Sequence, residues 1–97
     1  MPTYISLCRW TPQGAQKIKE SPSRLDSVKK LFQSFGVTMR DFYMTTGQYD
    51  MVIITDAPDE TAVAKAMLSA AAMGSVKTET MRAFNEEEYR SVMGGLA

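Results

Sequence analysis

The segment Gly47-Gln48-Tyr49-Asp50 carries the side chains of this chain that are best suited to chemistry. A tyrosine hydroxyl can donate a hydrogen bond while a neighbouring carboxylate acts as general base. We expect Asp50 to lie inside an apolar strand, where a carboxylate must be paired or has a raised pKa. Tyr49 and Asp50 are therefore the candidate catalytic residues. An ion pair is one structural alternative, with three arginines as candidate partners: Arg9, Arg40 and Arg82.

A wholly structural interpretation of the same segment is also open. Gly47 then supplies the positive φ of a turn, Tyr49 packs beside the hairpin, and the Asp50 carboxylate accepts backbone N–H bonds. Replacing Asp50 separates the two interpretations, because a structural carboxylate costs stability when it is removed.

Aromatic side chains elsewhere in the chain predict a pocket around this segment. The inner face of a small barrel is either filled by side chains or holds a small ligand. Thr11-Pro12-Gln13-Gly14 leaves the first strand and is expected to lie over the mouth of such a pocket. The predicted ligand-binding residues are Trp10, Gln13, Tyr43, Tyr49 and Asp50. The pocket suits a small aromatic or acidic molecule, and core packing of the aromatic rings is the alternative.

The residue types that are missing exclude several kinds of site. The chain has no histidine, which removes the usual general base at neutral pH and the commonest metal ligand. Cys8 is the only cysteine, so neither an internal disulfide nor a thiolate metal cage can form. Glu86-Glu87-Glu88 matches the first turn of a helix better than a metal site. We predict no metal and no cofactor.

The charge balance and hydropathy limit the classes of partner. Eleven basic residues balance eleven acidic ones, so the chain lacks the basic surplus typical of nucleic-acid-binding proteins. No stretch reaches the roughly 20 apolar residues of a membrane span, and the N-terminal residues do not resemble a signal peptide. We therefore predict no nucleic-acid or membrane partner and a cytoplasmic location.

The elements that must position these residues follow from hydrophobic periodicity. Alternation and β-branched residues predict strands over residues 3–10, 37–45, 48–55 and 75–84. Thr11 caps a short helix through Lys19, and Ser23 caps a second helix that ends at Gly36. A third helix opens over residues 56–60, with Pro58 in its first turn, and ends at Gly74.

The predicted order is β-α-β-β-α-β, followed by a terminal helix with Asn85 and Glu88 as its capping box. This is the ferredoxin-like arrangement, an α+β fold with a four-stranded antiparallel sheet and both crossover helices on one face. The other face would be bare, yet residues 51–54 are apolar on both sides of the third strand. A homodimer closed into a barrel solves this problem, and coverage by the terminal helix is the alternative.

Four segments in order carry a family resemblance: Thr11-Pro12-Gln13-Gly14, Lys19-Glu20-Ser21-Pro22, residues 43–54 with Gly47, Tyr49 and Asp50, and Val76-Lys77-Thr78-Glu79-Thr80. In these segments the chain resembles the GYD-domain family. It implies a dimeric α/β barrel over a single domain, residues 1–97, and it implies no particular reaction. Some barrels of this group oxidise phenolic substrates without metal or flavin.

Three functions fit these observations. The first is the binding of a small molecule in the barrel or at the dimer interface. The second is a cofactor-free oxygenase or isomerase that acts on a small aromatic or acidic substrate, and the third is an assembly unit without ligand. A homodimer or higher homo-oligomer is expected in each case. The sequence leaves open whether the chain is an enzyme.

Overall fold

The computed structural model describes residues 1–97 as an α+β fold in which one antiparallel sheet carries the helices. Its strands are β1 (Thr3–Trp10), β2 (Thr38–Met44), β3 (Met51–Asp56) and β4 (Val76–Ala83). Its helices are α1 (Pro12–Gln16), α2 (Ser21–Ser34), α3 (Glu60–Ala72) and α4 (Glu86–Gly94), with a 3-10 turn at Ile18–Glu20. The predicted order of elements and the four-stranded antiparallel sheet are confirmed.

The sheet has the strand order β2-β3-β1-β4, and every neighbouring pair is antiparallel. Successive side chains of a strand point to opposite faces, so each strand contributes to both sides of the sheet. One side, here the covered face, buries alternate residues of β1 and β3: Tyr4, Ser6, Cys8, Met51, Ile53 and Thr55.

Helices α2 and α3 supply the other half of the core. Phe32 of α2 is 1% exposed, and α3 buries Val63, Ala66, Met67 and Ala70. These positions recur at three- and four-residue spacing, which gives each helix one apolar stripe. The core therefore lies between these stripes and the covered face.

The opposite side of the sheet, here the open face, carries apolar residues without a covering element. Ile5 pairs with Ile54 and Leu7 with Val52, and all four side chains are only half-buried. Two apolar residues on the outer strands, Tyr43 of β2 and Met81 of β4, are 58% and 46% exposed.

Helix α4 does not close the open face. It starts at a capping box in which Asn85 and Glu88 bond each other's backbone N–H groups, as predicted. Its apolar side, Tyr89, Val92 and Met93, remains about half exposed. No helix of the chain has the length and apolar character needed to cross a membrane.

Three helix boundaries differ from the prediction. The first helix ends at Gln16 instead of Lys19, because Lys17 leaves the helical region at φ −115° and ψ 42°. Helix α2 begins at Ser21, so Ser23 is not its cap. Pro22 lies in its first turn, where a missing N–H costs no hydrogen bond. Helix α3 begins at Glu60 after the cap Asp59, so Pro58 precedes it.

The third strand also starts later than predicted. Residues 48–50 belong to the loop between β2 and β3, and β3 begins at Met51. Asp50 therefore does not lie inside an apolar strand. The expected catalytic role of Asp50 depended on burial of its carboxylate in a strand, and this loop position does not provide it.

Candidate functional site

The loop between β2 and β3, here the hairpin loop, is closed by its own backbone. The N–H of Thr45 donates to the carbonyl of Asp50 at 2.8 Å, and the Thr45 hydroxyl donates to the carbonyl of Tyr49 at 2.6 Å. Gly47 has φ 145°, a region that L-residues with a side chain rarely adopt. The turn role predicted for Gly47 is confirmed, in a longer loop than a two-residue hairpin.

Asp50 joins the hairpin loop to the end of β1. Its Oδ2 accepts the backbone N–H of Trp10 at 2.9 Å, and its own N–H donates to the carbonyl of Cys8 at 2.9 Å. It forms no salt bridge with any of the three candidate arginines. A carboxylate bonded to a backbone N–H matches the structural interpretation of this residue.

Tyr49 has different partners, which lie on the open face of the sheet. The Arg9 guanidinium lies 4.6 Å from the centre of its ring, and Arg9 Nε donates to the carbonyl of Gln48 at 2.8 Å. The neighbouring Glu79 carboxylate, acting through its interaction with the hydroxyl, raises the pKa of Tyr49 above its ordinary value. Tyr49 and Asp50 therefore have separate sets of partners.

The other predicted ligand-binding residues are also spread over the molecule. Trp10 lies on the covered face and packs against the core. Tyr43 lies on the open face of β2, and the Gln13 side chain lies beside Gly74 at the end of α3. Of the five predicted residues, only Trp10 lines the apolar cavity described below. The structure does not bring the five together, so the sequence-based site stays a prediction.

Thr11-Pro12-Gln13-Gly14 contacts the turn between α3 and β4. The Thr11 hydroxyl donates to the carbonyl of Gly74 at 2.6 Å, and the Thr11 N–H donates to the carbonyl of Ser75 at 3.1 Å. Thr11 also caps α1 by accepting the N–H of Gly14 at 3.1 Å. The predicted cap at Thr11 is confirmed, and the segment also connects two distant parts of the chain.

Gly14 has a role that the sequence did not reveal. A Cβ at this position would overlap the carbonyl oxygen of Ser75 and lie 3.0 Å from its carbonyl carbon. Both atoms belong to the backbone and cannot move aside independently. Gly14 is therefore required by the close approach of α1 to the start of β4. Its helical context in the sequence carried no signal of this contact.

A cavity of about 70 Å³ lies between the covered face and helices α2 and α3. Its deepest walls are buried apolar side chains, Phe32, Met51, Ile53, Met67 and Ala70, together with the thiol of Cys8. Arg24 of α2 is its only charged lining residue. Sequence reasoning missed this cavity because the same side chains form the apolar stripes of an ordinary core.

Burial raises the pKa of the Cys8 thiol to about 11. The thiol therefore stays protonated near neutral pH and is a poor nucleophile there. No group of three His, Cys, Asp or Glu side chains in residues 1–97 is placed to hold a metal ion.

The stability of the fold should depend on pH in the alkaline range. In the unfolded chain the Cys8 thiol ionises from about pH 9.0, whereas in the folded chain it does so at about 11. The contribution of the protonated thiol to the free energy of unfolding is complete below the pKa of the unfolded chain. It is lost as the pH rises through the pKa of the folded chain. We expect urea unfolding to show a loss on the order of 2 kcal/mol between pH 8.5 and 11. In Cys8→Ala this loss of stability should be clearly smaller. An unchanged dependence of the unfolding free energy on pH would contradict the assignment to Cys8.

Comparison with known proteins places these features in a family. The family model for the GYD domain matches residues 4–93. A Thermus thermophilus protein named "Glutamine synthetase and cystathionine beta-lyase binding protein" is 42% identical over 84 residues. The match covers 86% of this chain and 88% of that protein.

Two solved structures share the fold. The structure of TTHA0845 from Thermus thermophilus has a TM-score of 0.57 and 21% identity, covering 88% of this chain and 95% of that one. The structure of FFRP-DM1 also has a TM-score of 0.57, with 19% identity and coverage of 87% and 100%. At these identities the likeness concerns the fold alone.

Proposed function

This chain belongs to the GYD-domain family, and from that premise we propose that it is a protein-binding module that works as a homodimer. The uncovered apolar centre of the open face is the observation that carries the proposal. Apolar surface of this kind on a folded protein marks an interface when no element of the same chain covers it.

The topology supports a ferredoxin-like fold for this chain. The connection order β-α-β-β-α-β and the strand order β2-β3-β1-β4 are those of a ferredoxin-like domain. Both long crossover helices then lie on the covered face, so a second sheet is the natural partner for the open face. We propose that residues 1–97 form one such domain and that two copies pack sheet to sheet as a dimeric α/β barrel.

Side chains on the open face form two adjacent apolar rows. Tyr43, Val52 and Leu7 lie level with one another on β2, β3 and β1. Ile54, Ile5 and Met81 form the next row on β3, β1 and β4. Strand spacing and rise make the four-stranded face roughly 400 Å² in projection, of which the two apolar rows cover about half. Exposed apolar patches on monomers are often functional.

The charges around these rows suit a second copy of the chain. Arg9 and Lys77 lie at one end of the open face, whereas Glu79 and Asp41 lie level with the apolar rows on the two outer strands. Because both signs are present and the chain has no net charge, two identical faces do not repel each other. A two-fold axis buries the same patch on both protomers.

The relative from Thermus supports the protein-binding part of the proposal. Its name describes binding of glutamine synthetase and cystathionine β-lyase, and the similarity extends over most of both chains. We infer that this chain binds metabolic enzymes of the same kind. The cofactor-free oxygenase or isomerase has less support, because the Asp50 carboxylate accepts the Trp10 N–H and is separated from Tyr49.

Leu7→Lys should convert the dimer into a monomer. Leu7 lies in the middle of the open face, where a lysine ammonium would be desolvated between two sheets. We expect sedimentation velocity to give a dimer for the wild type at micromolar concentration and a monomer for Leu7→Lys. Leu68→Lys is the matched control: Leu68 is 71% exposed on α3, away from the sheet, so this variant should stay dimeric. A monomeric wild type would overturn the proposed dimer.

Binding to enzymes is tested separately with the wild-type chain and the same two variants. The glutamine synthetase and cystathionine β-lyase of the source organism are each passed over the immobilised protein. We expect saturable binding of at least one enzyme to the wild type and to Leu68→Lys. Binding of neither enzyme would overturn this part of the proposal while leaving the dimer intact. If the wild type is monomeric and Leu7→Lys loses the enzyme, the open face is the enzyme site.

A further inference from the structure

We propose that the cavity between the covered face and helices α2 and α3 binds a monocarboxylate with one short apolar chain or a single ring. The carboxylate would lie at Arg24 and the apolar part would fill the cavity. This site is on the opposite side of the sheet from the proposed dimer interface. It is therefore independent of the protein-binding function.

The lining of the cavity changes from apolar at depth to polar at the rim. The deep walls, which include Phe32, Ile53 and Met67, are nearly inaccessible to solvent. The polar lining residues are half-buried: Ser21 and Arg24 at the start of α2, and Ser75 and Thr78 around the start of β4. An occupant of this cavity therefore needs an apolar body and a polar head at one end.

The volume limits the size of the apolar body. A single water needs about 10–15 Å³ of such space, so about 70 Å³ accommodates on the order of five to seven atoms of that size. That is a chain of about five carbons or one small ring. Nucleotides, flavins and haem are far too large. The methionines of the wall, Met51 and Met67 among them, are flexible enough to adapt to either shape.

The charge of Arg24 selects the head group. Its Nη1 donates to the carbonyl of Lys17 at 2.9 Å and its Nη2 to the carbonyl of Gly14 at 3.3 Å. These bonds hold the guanidinium in place but use only two of its five N–H donors. Its one acidic neighbour is Glu20, whose Oε2 lies 3.8 Å from Arg24 Nη1. Because the Glu20 side chain is 64% exposed, this ion pair is weak and leaves the positive charge of Arg24 available.

The chain contains two natural reporters for this site. Trp10 is the only tryptophan and Cys8 the only cysteine, and both line the cavity. Ligand that fills the cavity should therefore change the tryptophan fluorescence and further slow the already slow reaction of the buried thiol with Ellman's reagent. The two signals come from neighbouring positions of β1 on the covered face, so a common binding curve identifies the site.

The experiment is a titration of the full chain with sodium hexanoate at pH 8, in parallel with 1-hexanol, which has the same chain without the charge. We expect hexanoate to saturate both signals with one dissociation constant and hexanol to bind at least tenfold more weakly. Arg24→Gln should weaken hexanoate at least tenfold and leave hexanol unchanged. Arg90→Gln, on the exposed side of α4, is the matched control and should behave like the wild type.

Two results would overturn the proposal. One is a change in fluorescence and labelling that stays linear in hexanoate concentration, which indicates a solvent effect and no site. The other is equal hexanoate affinity in Arg24→Gln and the wild type. Equal urea midpoints of the two proteins would show that the variant is folded in this comparison. The oligomeric state measured for the same samples keeps this test separate from that of the dimer.

Discussion

Gly14→Ala is expected to destabilise the fold by about 3 kcal/mol, the upper end of the usual range for overpacking substitutions with backbone displacement. Intrinsic helix propensity predicts the opposite sign, because alanine is favoured over glycine by about 1 kcal/mol inside a helix. The steric clash should outweigh the helix propensity, because the new Cβ would overlap the carbonyl oxygen of Ser75. Relief of that clash moves α1 away from β4 and weakens the bonds of Thr11 to Gly74 and Ser75.

Urea unfolding followed by Trp10 fluorescence measures this effect, and the chain offers a matched control. Gly94 is also helical, but a Cβ there meets no atom within 4 Å. Gly94→Ala should therefore leave the midpoint unchanged or raise it slightly. Equal stability of Gly14→Ala and the wild type would show that the approach of α1 to Ser75 is not a constraint on the fold.

Asp50→Ala is expected to cost about 1.5–3 kcal/mol, the range for hydrogen bonds to charged groups. The substitution leaves the Trp10 N–H without its acceptor at the end of β1. Asp50→Asn retains a side-chain oxygen that can accept this bond and should lose clearly less stability than Asp50→Ala. Amide hydrogen exchange at Trp10 should become faster in Asp50→Ala, because this bond protects that amide.

Asp26→Ala provides the control for the loss of a carboxylate. Asp26 is exposed on α2 and forms no salt bridge, so its removal should change stability by no more than about 0.5 kcal/mol. If Asp50→Ala is as stable as Asp26→Ala, the structural interpretation of Asp50 is wrong and the catalytic interpretation regains support. The same urea titration therefore decides between the two interpretations that the sequence left open.

Regular elements were predictable where a local period or a cap determines them. The alternation of Ile5 and Leu7 against Tyr4, Ser6 and Cys8 placed β1 correctly, because a strand has a side-chain period of two. Gly36 and Gly74 follow the ends of α2 and α3 and have positive φ. This was predictable because glycine adopts the left-handed conformation that commonly ends a helix.

Boundaries were missed where a distant partner competes with local preference. Tyr49 extends the apolar positions of β3 towards the N-terminus in the sequence, and this pattern predicts a strand from Gln48. In the structure, the Asp50 carboxylate and the Arg9 guanidinium bind the segment as a loop at the end of β1. Likewise, Lys17 ends α1 early, and the carbonyl groups of Lys17 and Gly14 bond to Arg24. Such bonds join residues that sequence periodicity does not relate.

The order of the elements, the two-sided apolar character of the sheet and the family membership could be read from the amino-acid sequence. These depend on patterns within one strand or helix, which local sterics and hydrophobic burial translate directly into structure. The distribution of the predicted site residues over both faces and the cavity behind Arg24 became visible in the folded chain alone. The reason is that a cavity depends on how closely α2 and α3 approach the sheet, and this distance is set by side chains from six separate elements packing together.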